Sequence, residues 1–238
     1  MTPNIASGQL VAEIAAVIGD VARANILTAL MDGRALTAGE LAAHAGVTPQ
    51  TTSGHLAKLA DAGLITGERQ GRHRYVRLAS PAVAEVIEAL MTVAATGPVR
   101  HRPVGPRDLA LRAARSCYDH MAGRLGVGLA AALEAGGLVA VADGSGAVTA
   151  RGRDFFHDHG IAIDVGRGSR PLCRTCLDWS ERRPHLAGRL GAAVCSHFLD
   201  QHWVTRVGGS RALRITPKGR QALRERFGIA EIGQASDT

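Results

Sequence analysis

The sequence has little lysine. Lys58 and Lys218 are all it carries, so its net charge of +7 over 238 residues is an arginine excess. Alongside abundant alanine and glycine, such a skew reflects genome composition more than mechanism, and local charge carries the argument. The sign, with a pI near 10.0, still favours an anionic partner, nucleic acid first. No run of 18 apolar residues occurs, which excludes a membrane-spanning helix. The start "MTPNIASGQL" has no basic segment leading into an apolar core, so no secretory signal is expected. Four cysteines are too few to staple a chain of this size, and without an export signal they are expected as reduced thiols in a cytoplasm. Signatures of catalysis are missing too: there is no Gly-x-Ser-x-Gly, and "DGSGAV" at 143–148 lacks the Lys-Ser/Thr of a phosphate loop and reads as a hairpin turn.

What is present begins with helices. Hydrophobic content of 46% is ordinary for a packed core. Leu10, Ile14, Val17 and Ile18 mark one face of a first helix. Asp20 caps a second, with Ile26, Leu27 and Leu30 inward. Thr37 with Glu40 fits a capping box for a third helix that Gly46 ends, and Thr48-Pro49 opens a fourth. The strands "LITGER" and "HRYVRL" follow, joined by "QGR"; Ser80-Pro81 then starts a fifth helix whose apolar stripe runs from Val83 to Ala94. "GPVRHRPVGPRD", rich in proline and glycine, reads as a linker. Beyond it, "DLALRAARSCYDHMAGRL" is expected as a helix that carries Cys117. A weak internal repeat follows: "AALEAGGLVAVADGSGAVTARGRDFF" parallels "HFLDQHWVTRVGGSRALRITPKGRQAL" as helix end, strand, glycine turn, strand and Thr-capped helix.

The third and fourth helices are too short to stand alone in water. A short helix, a tight turn and a second helix form a helix-turn-helix, whose second helix enters the major groove. Candidate contacts on that helix are Gln50, Thr51, Thr52, Ser53 and His55, which carry hydrogen-bonding groups near its amino end, and Lys58, better placed for phosphate. The hairpin adds Arg69, Arg72 and Arg74, suited to a wing over phosphates or in the minor groove.

Residues 9–96 resemble the ArsR/SmtB family of winged-helix regulators. The resemblance rests on "ELAAHAGVTPQTTSGHLAKLADAGLI", the basic "GERQGRHRYVRLAS" and the long helix after it. It implies a homodimeric bacterial repressor released by an inducer, with the first and fifth helices building the dimer, and a twofold-symmetric operator as its double-stranded DNA partner. The chain departs from metal-sensing members of that family. Its third helix, "ELAAHAGV", holds no cysteine and one histidine, His44, and the fifth helix lacks the paired Asp/His set.

Any sensing function is therefore expected after residue 108. Cys173 and Cys176 form a C-x-x-C pair in "RPLCRTCLDWSERRPHLAG". Three readings stay open. The first is a redox or thiol switch, with Arg170 and Arg174 favouring thiolate. The second is a thiolate-bound metal or metalloid ion with Cys117 as third ligand, or with His120, His157, His159, His185 or Cys195 completing the set. The third is plain packing, or a pocket for a small inducer lined by Tyr118 and Trp179 with the thiols as bystanders. Cys195, in apolar "GAAVCSHFL", reads as a buried structural residue.

The expected fold is mainly α with small β-hairpins. A winged helix-turn-helix DNA-binding and dimerisation domain spans 1–97, a linker 98–107, a domain of two degenerate winged-helix-like units 108–230, and a flexible tail 231–238. The expected function is transcriptional regulation by a non-enzyme without membrane association. The alternatives are a thiol-dependent enzyme with a vestigial winged helix, and a protein-interaction module that uses the wing.

Overall fold

The computed structural model describes residues 7–70, 73–96, 106–142, 145–163, 170–230 and 232. It divides into two units, Met1–Ile87 and Glu88–Thr238. Most of the expected linker and nearly all of the expected tail lie outside the described residues.

The first unit runs α1 (Gly8–Ile18), α2 (Val21–Leu30), β1 (Leu36–Thr37), α3 (Ala38–Ala45), α4 (Pro49–Asp61), β2 (Ile65–Gln70), β3 (His73–Leu78) and the start of α5 (Pro81–Thr96). Local chemistry sets each boundary. Asp20 accepts a hydrogen bond from the Arg23 N–H at 2.9 Å, which caps α2. Thr37 and Glu40 bond each other's backbone N–H reciprocally, at 3.3 and 2.7 Å, and start α3. Gly46 ends α3 in the left-handed region at φ 69°, where a side chain would be strained. Thr48 caps α4 and Pro49 fills its first position. Ile26, Leu27, Leu41, Leu59 and Val76 are buried between these helices and a three-stranded antiparallel sheet of order β1-β3-β2. This is a winged helix-turn-helix, with β2 and β3 as the wing.

The second unit continues from Glu88 and adds α6 (Pro106–Ala113), β4 (Arg115–Cys117), β5 (His120–Ala122), α7 (Gly123–Ala135), β6 (Val139–Ala142), β7 (Ser145–Val148) and α8 (Ala150–Asp158). After these come β8 (Cys173–Leu177), β9 (Pro184–Ala187), α9 (Gly188–Asp200), β10 (Val204–Arg206), β11 (Leu213–Ile215) and α10 (Pro217–Phe227). The helix expected across 108–125 is thus corrected. It stops at Ala113, and Cys117 lies on a strand. Tyr118, at φ 59°, turns the chain into a hairpin that no α-helix could pass through.

The internal repeat is longer than its sequence signal. Both copies read hairpin, helix, hairpin, helix: β4-β5-α7-β6-β7-α8, then β8-β9-α9-β10-β11-α10. "CYDHMAGRLG" in the first copy matches "CLD…HLAGRLG" in the second. Thr149 and Thr216 make the same cap, each accepting from a glycine N–H three residues on, at 2.9 and 3.0 Å. The copies interlock. One sheet has the order β6-β7-β8-β9, two strands from each copy. On the other side, the Ser116 N–H donates to the Arg211 carbonyl at 2.9 Å, and the Leu213 N–H to the Ala114 carbonyl at 2.9 Å, which sets β4 against β11. One apolar core serves both, including Leu125, Phe156, Leu190, Phe198, Trp203 and Phe227. No described helix is long and apolar enough to cross a membrane.

Candidate nucleic-acid interface and a buried thiol-imidazole cluster

In the first unit, α4 turns Leu59 and Thr52 inward and leaves Gln50, Thr51, Ser53 and Lys58 exposed. Thr52 is 0% exposed, and its hydroxyl donates to the Thr48 carbonyl at 2.9 Å. The expectation that Thr52 reads a base edge is corrected: helical spacing puts it on the inner face with Leu59. His55 is half-buried with Nδ1 3.7 Å from Asp20 Oδ1, so it too faces the protein. Ser53 donates to the Pro49 carbonyl at 3.1 Å and stays at the surface.

On the wing, Arg69 and Arg74 are exposed and directly opposite across the β2–β3 ladder. Like charges at paired positions repel in water, and a phosphate between them would relieve that. Arg77 instead pairs with Glu68 at 3.3 Å. Arg72 lies outside the described residues.

The second unit gathers the other candidates. Cys117 pairs with His120 across the β4–β5 hairpin, and Cys176 with His185 across the β8–β9 hairpin. The interlocked repeats bring the two pairs together: one donor atom from each of Cys117, His120, Cys176 and His185 lies within 4.8 Å of every other. The imidazoles stack with centroids 5.1 Å apart. Each also sits over a glycine of the other copy. A Cβ added at Gly126 would lie 3.5 Å from the His185 Cβ, and one at Gly191 3.0 Å from the His120 Cβ. Cys173 is not in this group. In a strand, residues three apart point to opposite faces, so Cys173 enters the apolar core while Cys176 faces the cluster. Cys195 is in that core too. His157 and His159 lie on and just after α8, outside the group. None of the four cysteines forms a disulfide.

The surroundings of the cluster are charged and mostly paired. Arg170 clamps Asp119 with both terminal guanidinium nitrogens, one at 2.9 Å, and Asp119 in turn accepts from His120 Nδ1 at 3.2 Å. Burial would raise the Asp119 carboxyl, but the bonds from Arg170 and His120 prevail and hold it at about 2. In the second copy, Asp178 Oδ2 lies 3.7 Å from His185 Nδ1. The remaining nitrogen of His120, Nε2, and both nitrogens of His185 are buried without a hydrogen-bond partner among the described residues. The Cys117 thiol donates toward Cys176, which lowers the Cys176 thiol and raises that of Cys117; burial raises Cys117 further. Glu88, 3% exposed on α5, lies beside this pair, and burial pushes its carboxyl above the ordinary range.

Sequence reasoning placed His120 and His185 only among several ways of completing a site, and missed the Asp119 and Asp178 supports. The signal that could have found all four is the doubled pattern of Cys, Asp two residues on, then His before Ala-Gly-Arg-Leu-Gly.

A family model described as a helix-turn-helix domain matches residues 18–68. The uncharacterized HTH-type transcriptional regulator YdfF of Bacillus subtilis (strain 168) is 42% identical over 230 residues, 96% of this chain and 99% of that protein. The HTH-type transcriptional regulator CmtR of Mycobacterium tuberculosis (strain H37Rv) is 35% identical over 82 residues, 34% of this chain and 69% of CmtR. Among solved structures, reduced HlyU from Vibrio cholerae is 26% identical, covers 36% of this chain and 88% of its own, and superposes with a TM-score of 0.33. The likeness to YdfF runs through both units. The chain belongs to the HTH-type transcriptional regulators, sequence-specific DNA-binding proteins, and the helix-turn-helix match falls in its first unit.

Proposed function

We propose that the chain binds its operator as a homodimeric repressor, and that the second unit, not the helix-turn-helix, controls that binding. Gln50, Thr51 and Ser53 read base edges in the major groove, and Lys58, Arg69 and Arg74 hold phosphates. The observation that carries this reading is the facing pair Arg69 and Arg74 on the wing of a helix-turn-helix, neither with an acidic partner among the described residues. Two further observations support the dimer. Helix α1 has no buried residue, and Val86, Leu90 and Val93, at helical spacing on α5, are 47%, 46% and 67% exposed. Control from the second unit is supported by the chemistry of α3, which carries no thiol, while the convergent thiols and imidazoles lie after residue 88. The enzyme alternative is disfavoured because a relative named as a transcriptional regulator matches along 96% of the chain.

Fluorescence anisotropy with operator and random duplexes across a salt series tests the assignment. Replacing Arg69 and Arg74 together by alanine should weaken binding to both duplexes and flatten the slope of log K against log salt by about 1.8, for two phosphates released. Gln50→Ala should reduce operator binding relative to random DNA with the slope unchanged. Wild-type slopes in the double arginine variant would refute the wing assignment.

A further inference from the structure

We propose that Cys117, His120, Cys176 and His185 form a closed, four-ligand site for one zinc-type divalent ion, set where the two repeats of the second unit meet. The four donors are already gathered within 4.8 Å of one another. A tetrahedral zinc site with two thiolates and two imidazoles has donor–donor edges of about 3.3 to 3.8 Å, so the group closes by about 1 Å around the ion. Nε2 of His120 and Nε2 of His185, buried without hydrogen-bond partners among the described residues, are the atoms such an ion would satisfy. Each histidine also has the outer support of a metal ligand: Asp119 accepts from His120 Nδ1, and Asp178 faces His185 Nδ1, which leaves Nε2 of each ring as the ligand. Two thiolates neutralise the dication, and Arg170 and Arg115 separately neutralise Asp119 and Asp178, so the occupied site adds no net charge to the interior. Binding displaces the protons of the ligating thiols to water.

The two hairpins make the donor set specific. Each contributes one thiolate and one imidazole from facing strand positions, and Gly126 and Gly191 leave the space the rings occupy. Four protein ligands and no open position mark a structural rather than a hydrolytic centre. The site is independent of the operator-binding proposal, since it lies wholly within the second unit and is read out without DNA.

The full-length reduced protein is titrated anaerobically with Co(II), then with Zn(II). About one equivalent of cobalt per chain should bind, with the intense visible bands of tetrahedral geometry and a thiolate charge-transfer band, and zinc should bleach both. Zinc should shield Cys117 and Cys176 from alkylation in the wild-type chain, read by peptide mass spectrometry, and leave Cys173 and Cys195 as they were. Cys176→Ala and His185→Ala should each lose at least about 100-fold in affinity, whereas Cys173→Ala should bind as wild type. The alkylation experiment needs no variant, so a misfolded mutant cannot obscure the answer. An octahedral cobalt spectrum, zinc protection of Cys173 together with Cys176, or no cobalt uptake by the reduced protein would each overturn the proposal.

Discussion

Arg115 and Asp178 form an ion pair at 2.9 Å with both side chains fully buried, one on the first hairpin of the repeat unit and the other just after β8. The guanidinium also donates to the Leu111 carbonyl at 3.2 Å and Ser180 Oγ at 3.1 Å, and lies 4.5 Å over the Trp179 ring. Asp178 in turn accepts from the Gly123 N–H at 2.6 Å and the Ser180 N–H at 2.9 Å. Asp178 and both terminal guanidinium nitrogens are bonded, which offsets the burial of the pair, while Arg115 Nε is buried without a partner among the described residues. Trp179, a candidate for a ligand pocket on sequence grounds, packs on this arginine.

Removing one partner strands the other charge. Arg115→Met should destabilise the protein by about 3–5 kcal/mol in chemical denaturation. Arg115→Lys should recover only part of that loss, because an ammonium cannot reach the carbonyl, hydroxyl and carboxylate together in the planar fork.

The α3 cap predicts a pH effect with a definite sign. The Thr37 N–H, and then its hydroxyl, hold the Glu40 carboxyl below its ordinary value. A folded-state pKa below the unfolded one gives stability that is fully present above the unfolded value and lost as pH falls through the folded value. Glu40→Gln should therefore flatten the decline in denaturation midpoint on acidification below the ordinary carboxylate range. Thr37→Ala should cost about 1 kcal/mol at neutral pH.

Thr52 and Gln50 should separate cleanly. The Thr48 carbonyl that accepts the Thr52 hydroxyl also accepts the Thr52 N–H at 2.9 Å, so Thr52→Val leaves no acceptor stranded. The expected change is less than about 1 kcal/mol in stability, with no change in base preference by binding-site selection. Gln50→Ala should change the preference and leave the thermal midpoint near wild type.

Two glycines at equivalent repeat positions should prove intolerant. A Cβ at Gly152 would lie 2.0 Å from the Leu138 carbonyl oxygen, and one at Gly219 2.0 Å from that of Trp203. Alanine at either should cost about 1–3 kcal/mol or more through forced backbone separation. Gly128, inside α7 with nothing within 4 Å of its would-be Cβ, is the control: Gly128→Ala should stabilise by about 0.5–1 kcal/mol, read by thermal melts.

The helix-turn-helix was legible because its signals are local. Thr37, Gly46, Thr48 and Pro49 mark helix ends within a few residues of the groups they bond, and the two wing strands pair with neighbours close in sequence. Thr52 was misread because a polar side chain on a helix suggests solvent, while its hydroxyl had an acceptor one turn back. The Cys173–Cys176 spacing suggests a chelate in a loop, but in a strand it splits the pair between two faces. The cluster itself comes from two hairpins far apart in the chain, and no periodicity within either reports that they meet. The short β1 strand, which pairs Leu36 with Val76, was likewise set by a distant partner.

The exchange of hairpins between repeats has a consequence for how the chain is made. A ribosome that has released α8 has produced β7 without the β8 edge that covers it and β4 without the backbone near Arg211 that it bonds. Such a product exposes open sheet edges and half a core, so premature termination there should yield aggregates rather than a smaller working protein. Synthesis of this unit is all or nothing, settled only when its last helix emerges.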